Sequence, residues 1–132
     1  MVATSHDVMP DIELYQPADE ATALDLAARL GNEGWLLSGG QDTYGWLKDR
    51  NKTPSAMIEL TQIDAWKGVK ETSDGIEIGA TTTLTEIAND PLIKTRFGLL
   101  AKAASVVASP QIRKVGTLGG NLNQDARCWY YR

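Results

Sequence analysis

The sequence predicts an α+β fold that opens on a β-α-β unit. Three observations carry this. Short apolar runs bracket an amphipathic stretch across residues 12–37. A turn-forming Ser73-Asp74-Gly75 sits between two arms that read as strands. Two helical patterns then follow, the first introduced by capping chemistry. At 132 residues the chain makes one domain, or two small lobes sharing a core. A chain of this size buries about 65–70% of its unfolded surface and builds a core without staples.

Residues 1–10 read as a frayed terminus. Ile12, Leu14 and Tyr15 suggest a short strand, stopped by Pro17. Asp19 is placed to cap a helix beginning near Glu20. In that helix Ala23, Leu26, Ala27 and Leu30 recur on one face. Gly31 and Gly34 offer the left-handed stop. Trp35-Leu36-Leu37 is too short for a helix and suits a buried strand. The β-α-β reading implies a parallel sheet with a right-handed crossover. A short helix through Trp46, Leu47 and Lys48 and a strand from Ala56 to Leu60 follow.

Residues 66–80 suggest a hairpin, with Val69 on one arm and Ile76 and Ile78 alternating on the other. Thr83-Leu84-Thr85-Glu86 has capping-box spacing and opens a helix, which Asn89-Asp90-Pro91 breaks. A longer helix is expected next, with Leu99, Leu100, Ala103, Ala104 and Val107 on one face, ended by Ser109-Pro110. From Gln111 to Arg132 no clear period is visible.

Composition excludes several classes. The chain is 42% apolar and 23% charged, and carries a net charge of −4, which argues against nucleic-acid binding by counterion release. A single cysteine, Cys128, excludes an internal disulfide and a Cys-rich metal site within the chain. A single histidine, His6, lies in the polar N-terminal stretch without an identifiable partner, so a Ser-His-Asp apparatus is not expected. No apolar run approaches the roughly 20 residues of a membrane span. The opening residues lack a basic and then apolar leader pattern, and the expectation is a cytoplasmic protein without membrane association.

Two glycine doublets stand out. Gly39-Gly40 follows a strand and precedes a helix, in Ser38-Gly39-Gly40-Gln41-Asp42. Glycines let a backbone turn sharply and bring N–H groups to phosphate oxygens, next to a helix N-terminus. A plain strand-to-helix turn explains the same letters. The second segment, Gly116-Thr117-Leu118-Gly119-Gly120-Asn121, packs a hydroxyl, an amide and three glycines into six residues. It reads as an anion-binding loop exposing several N–H donors, or as a β-turn. Neither segment is a G-x-G-x-x-G fingerprint or a P-loop, so a nucleotide would have to bind between two separate loops. Cys128 reads as a reactive thiol, a cluster ligand or an ordinary unpaired cysteine. One thiolate cannot complete a zinc or iron–sulfur site, so the last reading stands within this chain. Trp129, Tyr130 and Tyr131 suit core or interface packing better than base stacking in an acidic protein.

Three segments occur in order: Leu37-Ser38-Gly39-Gly40-Gln41-Asp42, Ile78-Gly79-Ala80-Thr81-Thr82-Thr83, and Ala108-Ser109-Pro110-Gln111-Ile112-Arg113-Lys114-Val115-Gly116-Thr117-Leu118-Gly119-Gly120-Asn121. Together they resemble the FAD-binding subunit of the molybdenum hydroxylases. That family includes the medium subunit of aerobic carbon monoxide dehydrogenase, the FAD domain of xanthine dehydrogenase and the flavin subunit of 4-hydroxybenzoyl-CoA reductase. The resemblance covers nearly the whole chain after residue 10. It implies a PCMH-type FAD-binding domain: an N-terminal β-α-β lobe over residues 11–60, then a second α+β lobe with a mostly antiparallel sheet over 61–132, truncated relative to the family.

The resemblance further implies that FAD is the cofactor and that its pyrophosphate is held largely by backbone donors. Leu37, Ser38, Gly39, Gly40, Gln41 and Asp42 would lie on one side, and Thr117, Gly119, Gly120 and Asn121 on the other. No side chain is assigned a catalytic role and none a metal. The implied activity is electron transfer in an FAD-dependent oxidoreductase, from iron–sulfur clusters to an external acceptor. The implied partners are molybdenum-cofactor and iron–sulfur subunits, one of which selects the substrate. Residues Asn121 to Arg132 are similar to the 4-hydroxybenzoyl-CoA reductase branch, where a loop in this neighbourhood carries cluster cysteines. Cys128 matches one of these, and Asn123 stands where some relatives have another. Lys114 and Gln41 depart from residues common in the family without touching backbone-mediated binding. Two alternatives remain: a flavin-free remnant that self-associates into a homo-oligomer without activity, and a nucleotide-binding module without redox chemistry. The chain alone is expected to bind FAD weakly or not at all.

Overall fold

The structure is a computed structural model, and it describes residues 9, 11–125 and 130. Three short parallel strands form the first sheet: β1 (Glu13–Tyr15), β2 (Gly34–Leu37) and β3 (Ala56–Glu59). The order is β1-β3-β2, so the strands of the β-α-β unit do not pair with each other; β3 inserts between them. Glu13 and Gly34 both lie opposite Ala56, which sets a common register.

Helix α1 (Glu20–Leu30) connects β1 to β2. Its N-cap is Asp19, whose carboxylate accepts from the Thr22 N–H at 2.9 Å and from the Thr22 hydroxyl at 2.8 Å. Those two bonds hold the Asp19 carboxyl below its ordinary range. Ala23 and Leu26 are buried, on the face the periodicity selects. Gly31 supplies the stop with φ +50°, whereas Gly34 is extended and begins β2. The Trp35-Leu36-Leu37 run is only partly buried: Leu37 is enclosed but Leu36 is 57% exposed. The reason is position, since β2 is an edge strand. Helix α2 (Thr43–Lys48) buries Trp46 and Leu47.

The second part begins with the antiparallel hairpin of β4 (Val69–Thr72) and β5 (Gly75–Ile78), joined by the two residues Ser73 and Asp74. Helix α3 (Leu84–Asn89) starts on the expected capping box: Thr83 Oγ1 accepts from Glu86 N, and the Glu86 carboxylate accepts from Thr83 N at 2.7 Å. Asp90 and Pro91 do more than end it. They open α4 (Pro91–Arg96), with Asp90 as N-cap and proline in the first turn.

The long helix expected after this point is two helices, broken at Phe97 (φ −132°, ψ 45°) before α5 (Gly98–Val106). The apolar face also differs. Ala101 and Ala104 are buried, while Ala103 is exposed and Leu99 is 85% exposed. Apolar residues cover a broad arc of α5, and packing against α3 selects the alanine stripe, where small side chains allow close approach. Ile87, Ile93, Ala101 and Ala104 form this core, with Val69, Ile76 and Ile78 of the hairpin packed on it.

Ser109-Pro110 begins a helix instead of ending one. The chain leaves α5 at Val106, turns at Ala108 (φ 42°), and Ser109 caps α6 (Pro110–Val115). Helix α7 (Leu118–Leu122) follows, capped by Thr117. Both helices are missed by periodicity because five or six residues are too few to show one. Among the described residues, no helix is long and apolar enough to cross a membrane. Tyr130 is fully exposed, which excludes core packing for it and bears only on that half of the core-or-interface expectation. His6, Cys128, Trp129 and Tyr131 lie outside the described residues.

Candidate functional site

The site is assembled where the two glycine segments meet. Leu37, at the end of β2, is buried and anchors the turn that starts at Ser38. Ser38 Oγ and Thr117 Oγ1 are 2.9 Å apart and share a hydrogen bond, although 79 residues separate them. At Gly39 an added Cβ would lie 2.3 Å from the Val115 carbonyl oxygen and 2.8 Å from the Gly116 Cα. Glycine is therefore required at position 39 for space. At Gly40 it is required for torsion, because φ is +70°.

The second segment is held from behind by the middle one. Leu118 N donates to Thr82 O at 2.9 Å and Gly119 N to Ala80 O at 2.8 Å. Leu84 N donates to Gly116 O at 2.9 Å. The buried threonines of the 81–82 pair tie the same stretch to the chain ahead of the hairpin: Thr81 Oγ1 donates to Trp66 O, and Thr82 Oγ1 bonds both backbone groups of Gly68. Gly79 permits this, since a Cβ there would lie 2.2 Å from the Trp66 carbonyl oxygen. Arg113 clamps the preceding turn by donating to the carbonyls of Val107 and Ala108, at 2.7 and 3.0 Å. Sequence reasoning gave Gly79, Thr81, Thr82 and Arg113 no role of their own. Their function is to brace the loop, and no local pattern marks a brace.

A cleft of about 490 Å³ opens between the segments. Ser38, Gly39, Gly40, Gln41, Asp42, Thr117, Gly119, Gly120 and Asn121 all line it, and of the sequence-selected residues only Leu37 lies behind its wall. Trp35, Trp46 and Trp66 supply apolar surface. This volume falls within the roughly 300–1,000 Å³ typical of cofactor and ligand pockets.

Donor accounting separates the two loops. The N–H groups of Leu118, Gly119, Gly120 and Asn121 are all occupied, the last two by Thr117 Oγ1 at 3.2 Å and Thr117 O at 3.1 Å. The second segment is thus a capped helical turn and not the open donor loop its composition suggests. The Asn121 side-chain amide donates to Thr117 O at 2.9 Å. Around the first turn the N–H groups of Gly39, Gly40 and Gln41 have no partner among the described residues. Three successive backbone donors beside a cleft form a cradle for an anionic oxygen. The residues present therefore fit a ligand with a phosphate at this turn and flat rings against the tryptophans.

Residues 10–127 match the model of the FAD binding domain in molybdopterin dehydrogenase. The chain belongs to this family. It is 32% identical over 115 residues to the carbon monoxide dehydrogenase medium chain of Hydrogenophaga pseudoflava, covering 87% of this chain and 40% of that protein. It is 39% identical over 116 residues to the nicotinate dehydrogenase FAD-subunit of Eubacterium barkeri, covering 87% and 39%. A solved carbon monoxide dehydrogenase from Hydrogenophaga pseudoflava, lacking the Mo-pyranopterin moiety of its cofactor, superposes with a TM-score of 0.84 at 32% identity, over 87% of this chain and 40% of that one. The chain thus spans about two-fifths of the length of these relatives. The resemblance carried by the three segments is confirmed, as are the fold class and FAD as the cofactor of the parent family.

Proposed function

We propose that this chain forms the dinucleotide-gripping part of an FAD-binding, electron-transferring subunit in a molybdenum-hydroxylase-type oxidoreductase. The observation that carries the reading is the junction of the two glycine segments, which places free N–H groups of one loop beside a braced wall made by the other. When bound, FAD supplies the redox chemistry, taking electrons from iron–sulfur clusters and passing them to an external acceptor.

The chain's own residues bind and orient. Gly39, Gly40 and Gln41 present backbone donors to the pyrophosphate, and Ser38 and Thr117 lock the two walls at a fixed separation. The three tryptophans shed water from the cleft and offer flat apolar surface to rings. None of these roles needs a general acid or base. The partners under this reading are a molybdenum-cofactor subunit and an iron–sulfur subunit, in keeping with the medium-chain designation of relatives.

Titration with FAD, followed by flavin and tryptophan fluorescence, tests the assignment. Gly40→Val and Gly120→Val are expected to abolish binding. The first forces a branched side chain into positive φ against Tyr44 and Leu37, and the second places a Cβ 3.0 Å from Thr117 Oγ1. Unchanged affinity in both variants overturns the site. Affinity of the 132-residue chain is expected to be micromolar or weaker, since tight sites enclose about 70–90% of a ligand and a dinucleotide is large for this cleft. Leu99, Val106 and Leu122, exposed at 85%, 65% and 76%, favour a second reading as a self-associating module. Sedimentation across a concentration series decides that point: a strictly monomeric sample removes the second reading.

A further inference from the structure

Among the described residues, the cleft is lined by two carboxylates, Asp42 and Asp125, and by one cation, Lys52. Lys52 is held unusually well for a half-exposed lysine. Its Nζ lies 5.9 Å from the centroid of the Trp35 ring and 6.0 Å from that of Trp46, within cation–π range of both. Both rings are themselves anchored. Trp35 Nε1 donates to Thr43 Oγ1 at 3.1 Å, and Trp46 is 5% exposed. The ammonium also pairs with Asp125 Oδ2 at 3.1 Å.

That pair joins the loop after α2 to the segment after α7, across the cleft whose wall both form. Both side chains are 39% exposed, and an ion pair this accessible is weak enough to exchange partners. An incoming diphosphate brings negative charge into a cleft that already holds two carboxylates. Neutral N–H donors at Gly39–Gln41 orient phosphate oxygens but leave that repulsion uncompensated. A positioned ammonium is the element that compensates it.

We propose that Lys52 is the cation that engages the ligand's diphosphate, and that Asp125 is its resting counter-ion, displaced when the ligand enters. The proposal rests on the FAD-binding reading and adds to it a charge-selecting residue and an exchange. Trp35 and Trp46 act as positioning residues, which keep the ammonium over the cleft in both states. Asn123 keeps its two bonds to the Gly119 carbonyl when Asp125 is displaced, so the exchange is confined to the residues that follow it.

The test uses the full chain and its Lys52→Gln, Lys52→Arg and Asp125→Asn variants, titrated with FAD, ADP and riboflavin at low and at physiological ionic strength. Thermal unfolding establishes that each variant is folded. Lys52→Gln is expected to weaken FAD and ADP roughly tenfold, the scale of one lost charge-assisted hydrogen bond, and to leave riboflavin unchanged because it carries no phosphate. Lys52→Arg is expected to retain most of the affinity. Asp125→Asn is expected to tighten FAD several-fold, and its salt dependence should stay close to that of the unmodified chain. Equal FAD affinity in Lys52→Gln and the unmodified chain overturns the Lys52 assignment alone. Equal loss of riboflavin and FAD does the same, because it makes Lys52 part of the wall only. A weakened Asp125→Asn variant overturns the exchange. An unmodified chain that binds neither FAD nor ADP at any attainable ligand concentration overturns the reading that this cleft grips a dinucleotide by itself, and this proposal with it.

Discussion

Gly39→Ala tests whether contact between the two glycine segments holds this protein together. The added methyl group would sit 2.3 Å from the Val115 carbonyl oxygen, 2.8 Å from the Gly116 Cα and 3.0 Å from the Val115 carbonyl carbon. All three are backbone atoms, so no side chain can rotate away. Restoring ordinary contact requires the segments to separate by about 1 Å. Ser38 Oγ and Thr117 Oγ1 start at 2.9 Å, and that separation takes them past hydrogen-bonding range. Overpacking of this kind costs about 1–3 kcal/mol, and the lost hydrogen bond about 0.5–1.5 kcal/mol. The expected loss is therefore about 2–4 kcal/mol, a large share of the roughly 5–15 kcal/mol that stabilises a typical domain. With a urea slope of about 2 kcal/mol per molar, in the middle of the usual range, the midpoint should fall by about 1–2 M. Urea unfolding followed by tryptophan fluorescence reads this directly. The internal control is Gly98→Ala, where an added Cβ meets nothing within 4 Å and φ is not positive. It should be neutral or stabilising by up to about 1 kcal/mol. A Gly39→Ala protein within about 0.5 kcal/mol of the unmodified chain would refute the claim that this junction needs glycine for space.

Three further outcomes are expected. Thr83→Ala removes the hydroxyl half of the α3 capping box and should cost about 1 kcal/mol, measured by the same urea series. Asp19, whose carboxyl the Thr22 bonds hold below its ordinary range, contributes stability that is present above the unfolded carboxyl pKa of about 3.9 and is lost as pH falls through the lower folded value. An acid titration of the urea midpoint should show that loss, and Asp19→Asn should remove this component of the pH dependence. Purified chain should carry no stoichiometric iron or sulfide, because Cys128 is the sole cysteine and one thiolate does not complete a cluster; elemental analysis finding iron at one per chain or more would contradict this.

The amino-acid sequence determined the features that depend on near neighbours. Asp19, Thr83 and the turn of the 69–78 hairpin are written in residues three or fewer apart, and local hydrogen bonding realises them as expected. The two glycine segments were visible for the same reason, since backbone freedom and donor density are local properties. What the tertiary structure decided is everything that depends on a partner distant in sequence. β3 inserts between β1 and β2 because it can pair with both, a choice no window across residues 12–37 contains. The buried face of α5 is set by α3, which takes up Ala101 and Ala104 and leaves Leu99 in water. Loop chemistry divides in the same way. Composition assigns donors to both glycine segments, but Thr117, Thr82 and Ala80 consume those of the second, while in the first the N–H groups of Gly39, Gly40 and Gln41 have no partner among the described residues. Lys52 gains its position from Trp35, Trp46 and Asp125, residues 17, 6 and 73 places away. A hydrogen bond or a ring face offers no trace in sequence until folding brings its partner within about 3 to 6 Å.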